Sequence, residues 1–253
     1  MLVQIVPATL YAFLIVLSRV GATLMLAPGI GENSVSPRIR MALALLVSLL
    51  LFSVVRADIP PMPAQPLMLA PLIFGEVLIG LLLGGIGRLA LSALQVAGTV
   101  MAFQSGLGFG QFFDPTQSGQ SALLASLLGF VGLVLIFVTN LHLLMLRALA
   151  DSYRLFPVGA LPPMGDFAHM ATLLVAGAFR IGIQIAAPFI VYGLVFTVAI
   201  GALNRLMPQA QISFISMPAQ ILGALVILLG SIGIGMTWFL NYYQSSLTPF
   251  LVR

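Results

Sequence analysis

Long apolar runs separated by short polar or proline-rich intervals make up almost all of the chain. The first extends from about Ile5 to Ala27, with Pro7 near its start and Arg19 well inside it. Gly29 to Arg40 is a polar connector carrying Glu32, Arg38 and Arg40, and Pro37 stands where a helix would begin. Met41 to Val55 is apolar but short for a straight crossing. Arg56 to Pro66 holds Pro60, Pro61, Pro63 and Pro66, so it cannot be helical through its middle and reads as a stiff link. Leu67 to Phe103 is one long tract enclosing Glu76 and Arg88. Ala122 to Leu146 predicts a single span, with Asn140 and His142 near its exit, and Arg147 to Asp166 reads as a long polar interval. Ala168 to Leu203 is another long span holding Arg180 and Gln184, with a kink expected near Pro188. Asn204 to Gln211 is a polar turn, and Ile212 to Leu240 completes a last hairpin.

A hydrocarbon core of about 30 Å takes roughly 20 helical residues to cross, so these runs predict an all-α integral membrane protein. Six to seven apolar helical segments are expected, several broken or kinked, folded as hairpins in a single polytopic domain over residues 1–253. The amino terminus has no basic leader region and no convincing small-residue cleavage site, so the first run reads as a retained span. Arg38 and Arg40, Arg147 and Arg154, and Arg253 all fall on the cytoplasmic side if the amino terminus is outside and seven segments cross.

One stretch breaks this pattern. Between Met101 and Thr116, Gly106, Gly108 and Gly110 alternate with Leu107 and Phe109, and Gln111, Phe112, Phe113, Asp114 and Pro115 follow. Alternating glycines and an Asp-Pro step predict a loop. Irregular backbone at membrane depth is tolerated only when wrapped in protein or lining a cavity. Two readings stay open on the residues alone: an interfacial loop with its phenylalanines among headgroups, or an apolar closure.

Composition sharpens the class. Of 253 residues, 60% are hydrophobic and 6% charged. The ten basic residues are all arginine and are scattered, and no basic patch with interleaved aromatics is present, which argues against a nucleic-acid surface. Cysteine is absent, removing disulfides, thiolate nucleophiles and thiolate metal sites. His142 has no acidic or second histidine partner at ligand spacing, so no metal and no cofactor is assigned.

The charges inside spans need reasons of their own. Arg19 either snorkels, pairs with an acid or faces a wet interior. Glu76 pairs with an arginine such as Arg19 or Arg88, or carries protons; pairing is the favoured reading. Gly80 and Gly84 form a G-x-x-x-G step that lets another helix's backbone come close. Neither a G-x-S-x-G elbow, a Walker loop nor an H-E-x-x-H helix occurs, and the six acids stand singly, so an enzyme is not expected. A secondary transporter using Glu76 as coupling acid would show an inverted repeat, and none is evident.

In this order, Arg19 before Pro28, Pro37 with Arg38 and Arg40, the GEVLIG step from Gly75 to Gly80, the glycine loop ending in Asp114-Pro115, Asn140 with His142, Ser152 with Pro157, and Asn204, Arg205, Pro208 and Gln209 before Pro218 and Gly223 make the chain resemble a known family. That family is FliR, the export-gate proteins of the bacterial flagellar type III secretion system, whose injectisome relatives are called SctT. Two local departures stand out: Gln104-Ser105-Gly106 where the family tends to have Gln-Met-Gly, and Asn140-Leu141-His142 where it tends to have Asn-Gly-His.

The resemblance implies a single copy assembled with several FliP and FliQ subunits into a helical export channel in the bacterial inner membrane, adjoining FlhB and passing unfolded export substrates. It implies a FliP-like part over residues 1–165 and a FliQ-like hairpin over 166–253. It also implies that the loop at 104–116, from Gln104 through Ser105 to Pro115, plugs the pore. Arg19, Glu76, Gly80, Gly84, Arg88, Asn204, Arg205, Pro208 and Gln209 become candidate assembly or buried polar positions. A virulence injectisome subunit of the same family is the nearest alternative.

Overall fold

The computed structural model describes residues 2–63, 65–107, 123–159, 164–207 and 212–252, and the regular structure among them is helical throughout. Seven α-helices follow one another: α1 (Leu2–Leu26), α2 (Pro37–Val55), α3 (Leu69–Gln104), α4 (Leu123–Val138), α5 (Leu141–Leu155), α6 (Met164–Leu206) and α7 (Ile212–Leu247). By length and apolar composition five of them can cross a membrane, or six spans result if the bent pair α4 and α5 counts as one. The all-α membrane architecture expected from the hydrophobic pattern is the one observed.

Local chemistry sets several boundaries. Pro37 opens α2, where its missing N–H would have had no intrahelical partner, and Arg40 folds back to donate to the carbonyls of Glu32 at 2.8 Å and Val35 at 2.9 Å. After α2 the chain makes a 3-10 turn at Arg56–Asp58 and leaves it through an extended Ile59, as the prolines ahead require. The helix α6 continues unbroken through Pro188.

One expected boundary is corrected. The run expected as one continuous span over Ala122 to Leu146 is not a single straight helix: Leu123–Val138 and Leu141–Leu155 are bent by 71° at a break before Leu141. Asn140 sits at φ 59° and ψ 17°, a left-handed conformation that asparagine tolerates better than other non-glycine residues. The second helix then runs on to Leu155, through what had read as polar interval. Its buried residues Met145, Ala148, Leu149, Ser152 and Tyr153 recur at helical spacing, so the segment is amphipathic, with Arg147 and Arg154 on the exposed side.

Contacts divide the chain into two compact units. The first comprises Met1–Ala90, Ile136–Leu174 and Tyr243–Arg253. In it α1 and the first half of α3 meet through Gly80 and Gly84: a Cβ at Gly80 would overlap the Arg19 carbonyl oxygen, and one at Gly84 that of Thr23. Ile15, Val16, Val20, Ile79, Leu83 and Ile86 are buried there. Between membrane helices such side chains contribute by close van der Waals packing rather than by leaving water. Tyr11, Ala12 and Ile15 pack against Phe52, Ile59, Leu69, Leu72 and Val158.

The second unit comprises Leu91–Leu135 and Val175–Tyr242. Glycine again fixes close approach: Gly98 faces the backbone of Leu124 and Ala125, and Gly182 faces Val96 and the Ala93 carbonyl. Gly177 against Tyr242, Gly235 against Ile185 and Gly223 against Tyr192 show that α6 and α7 run antiparallel. Leu94, Leu128, Phe189 and Phe239 form its apolar centre.

Candidate functional site

Two sites emerge, one in each unit. In the first, Arg19 of α1 is fully buried and uses four of its five N–H groups. Nε donates to Glu76 Oε2 at 2.6 Å and Nη2 to Glu76 Oε1 at 3.0 Å, a bidentate pair. Nη1 donates to Ser152 Oγ at 3.2 Å, and Nη2 also donates to the Phe156 carbonyl at 2.9 Å. The guanidinium lies 4.1 Å from the centre of the Tyr153 ring, within cation–π range. Tyr153 Oη in turn reaches the Val16 carbonyl at 3.4 Å.

This arrangement ties α1, α3 and the end of α5 at a single point. Of the three readings open for Arg19, pairing with an acid is the one the geometry realises, and Glu76 takes Arg19 rather than Arg88 as its partner. Arg88 is exposed and makes no ion pair among the described residues. Ser152 and Tyr153 were not singled out as site residues, because the segment that carries them reads as polar interval until its helical period is recognised.

Nearby in the same unit, His142 stacks on Phe137 with ring centres 4.8 Å apart, across the bend at Asn140. Its Nδ1 is buried without a hydrogen-bond partner. Among the described residues no group of three or more metal-ligating side chains gathers there or elsewhere.

The second site is the foot of the glycine-rich loop. The helix α3 ends at Gln104, and Gly106 takes φ 79°, the left-handed turn by which glycine commonly ends a helix. Ser105 and Gly106 are buried and Leu107 is half-buried. The remaining expected plug residues, Gly108, Phe109, Gly110, Gln111, Phe112, Phe113, Asp114 and Pro115, lie outside the described residues.

Two residues not anticipated as site residues hold the foot. Gln220 of α7 donates its Nε2–H to the Gln104 carbonyl at 2.9 Å, and Tyr192 of α6 donates its hydroxyl to the Gln220 carbonyl at 2.8 Å. Sequence offered little signal for Gln220, a polar residue two positions beyond Pro218 on an apolar helix. Asn204 and Arg205 are exposed near the end of α6, and Pro208 and Gln209 lie outside the described residues.

Comparison with known proteins gives a consistent result. The family described as bacterial export proteins, family 1, matches residues 10–246. The flagellar biosynthetic protein FliR of Caulobacter vibrioides is 39% identical over 235 residues, covering 92% of this chain and 94% of that protein. Its namesake in Escherichia coli is 33% identical, covering 80% of this chain and 77% of the relative. The Bacillus subtilis protein of the same name is 28% identical, covering 86% and 85%.

Proposed function

Because this chain belongs to the FliR family of bacterial export proteins, we propose that it is an export-gate subunit of the flagellar type III secretion apparatus. On this reading it sits in the bacterial inner membrane, assembles with FliP and FliQ beside FlhB, and lines the passage for unfolded flagellar proteins. Residues 1–165 form the FliP-like part and 166–253 the FliQ-like hairpin. The observation that carries the reading is the match along nearly the whole chain, residues 10–246, with relatives whose names are flagellar.

Surface chemistry supports an assembled protein over a solitary one. The spans of α1 and α3 are 44% and 39% buried, but α2 is only 17% buried and α6 and α7 22% each. On α6, Arg180 and Gln184 stand one turn apart on the exposed side. Arginine at a span's centre is disfavoured in lipid by roughly 2.5–3.5 kcal/mol on insertion scales, so such a face suits a protein neighbour or water better than acyl chains.

The segment from Gln104 to Pro115 is the plug of this reading. Leu107, Phe109, Phe112 and Phe113 supply an apolar constriction that blocks ions by dewetting, and the glycines let it move aside when substrate arrives. Deleting Gly108 to Pro115 in cells that make the whole apparatus is expected to let small ions leak. Unchanged conductance together with unchanged secretion would overturn the plug. Loss of motility in a strain lacking the gene, with virulence secretion intact, is the expected mark of the flagellar system over the injectisome.

A further inference from the structure

We infer that Gln220 is a positioning residue for the glycine-rich loop, setting the direction in which the chain leaves α3; its bearing on leakage rests on the plug reading above. The argument begins with the carbonyls of the last helical turn, which lack intrahelical N–H partners and must find others. At the end of α3 each one can be traced. Met101 accepts from the Ser105 N–H at 2.9 Å, and Phe103 from the Gly106 N–H at 3.3 Å. Ala102 accepts from Ser105 Oγ at 3.1 Å. These three are local. The last, Gln104, is satisfied from another helix among the described residues, by the Gln220 side-chain amide at 2.9 Å.

The same amide also borders the turn that follows. A Cβ at Gly106 would come within 3.3 Å of Gln220 Oε1, so the chain leaves α3 directly past this side chain. Gln220 is in turn held on both flanks. The Tyr192 hydroxyl donates to its backbone carbonyl at 2.8 Å, and Tyr192 itself lies over Gly223, where any Cβ would overlap the ring. The Gln104 side chain occupies the space that a Cβ at Gly193 would fill. Residues of α3, α6 and α7 thus interlock at the point where the loop begins, and all of them belong to the second compact unit. A shift of the α6–α7 hairpin is therefore felt at Leu107 through one half-buried, neutral hydrogen bond. Such a bond restrains the foot by about fivefold in population, firm enough to bias its direction and weak enough to break.

The experiment uses the whole complex in native membranes. The chain has no cysteine, so Leu107→Cys gives it one thiol, whose labelling by a water-soluble maleimide is read as a mobility shift of this chain. Gln220→Glu keeps the size of the side chain but removes the N–H donor at neutral pH; Gln220→Ala removes the side chain. Both are expected to raise the labelling rate at position 107 by about fivefold and to raise ion leak in the same direction, with co-purification of the complex unchanged. Tyr192→Phe, which removes the hydroxyl that donates to the Gln220 carbonyl at 2.8 Å and reaches the Ala219 carbonyl at 3.5 Å, is expected to act in the same direction with a smaller rise.

Labelling rates equal to the parent in all three variants would overturn the inference. A loop deletion that fails to leak would instead sink the plug while leaving the labelling result to decide the role of Gln220. Should the Gln220 variants fail to assemble, Tyr192→Phe decides it by the same measurement.

Discussion

Removing the Glu76 carboxylate tests the account of the buried pair most directly. Glu76→Gln leaves a guanidinium that is fully buried, still bonded to Ser152 Oγ and the Phe156 carbonyl but without its counter-charge. Two hydrogen bonds between opposite charges, at 2.6 Å and 3.0 Å, become at best one from the guanidinium to a neutral amide oxygen, and the new amide N–H group faces donors. Breaking a buried pair from one side destabilises by about 3–5 kcal/mol, which is roughly two to three and a half decades in the folded-to-unfolded ratio. Accumulation of the chain in membranes, and the thermal midpoint of the detergent-purified complex, should both fall.

The double replacement Arg19→Met with Glu76→Leu removes both charges together, and apolar substitutes for a buried pair are often neutral. It should recover part of the loss, short of all of it because the Phe156 carbonyl loses its donor. Two results would refute the reasoning. One is a double variant no more stable than Glu76→Leu alone. The other is a Glu76→Gln complex that accumulates normally yet exports nothing, which would give Glu76 a chemical role instead of a structural one.

Glycine packing yields a paired test: Gly80→Ala and Gly84→Ala drive a Cβ into backbone carbonyls of α1 and should lower accumulation by an amount typical of overpacking, about 1–3 kcal/mol, in the same immunoblot. Gly85→Ala meets nothing within 4 Å and should be neutral or stabilise the helix by up to about 1 kcal/mol, read as an unchanged or raised melting midpoint. At the bend, Asn140→Gly should be tolerated, whereas Asn140→Val places a β-branched residue at φ 59° and should lower the midpoint by the equivalent of about 1–3 kcal/mol. Gly106→Ala forces φ 79° on a residue with a Cβ and crowds Gln220, so Leu107→Cys labelling should rise in that background. Arg180→Leu should leave the chain's own accumulation intact and change its recovery with the other subunits of the export apparatus, measured by co-purification.

How much of this could be read from sequence depends on whether the informative residues share a helical face. Glu76, Gly80 and Gly84 recur every fourth residue, so the acid and the two glycines line one side of α3, and the helix that the glycines admit is the one that supplies the arginine. Arg88, twelve residues beyond Glu76, is about 18 Å further along the same helix, too far to pair with it. That argument needs only the spacing. The polar network beyond Glu76 did not yield to it, because Arg147, Asp151, Ser152 and Arg154 give a loop-like density of polar residues, although the apolar positions between them keep helical period. The bend at Asn140 was hidden for a different reason: a single left-handed residue inside an apolar run alters direction without altering hydrophobicity. Gln220 lay furthest from view, since a contact across 116 residues to a helix's last carbonyl has no signature in either stretch alone.

Two of the arginines set within apolar helices, Arg19 and Arg180, show what a chain can and cannot solve by itself. Arg19 is neutralised internally because Glu76 stands on the helix face that packs against it. Arg180 has no such recourse. Asp166 is on the same helix but fourteen residues away, about 21 Å along the axis; Glu76 is engaged by Arg19, and Asp151 accepts from the Val252 N–H at 3.1 Å with Arg147 beside it. Glu32 and Asp58 lie in the connectors on either side of α2. No acid among the described residues pairs with Arg180, which leaves a lipid phosphate, water, another subunit or Asp114, outside the described residues, to meet its charge. The exposed apolar positions flanking it, Phe179, Ile183 and Val191, are the side chains a neighbouring helix would cover, and a neighbour that brings a carboxylate to this level removes both costs at once. The difference between the two arginines is thus that between a charge neutralised on a packed helix face and one left on an exposed face without an ion pair among the described residues.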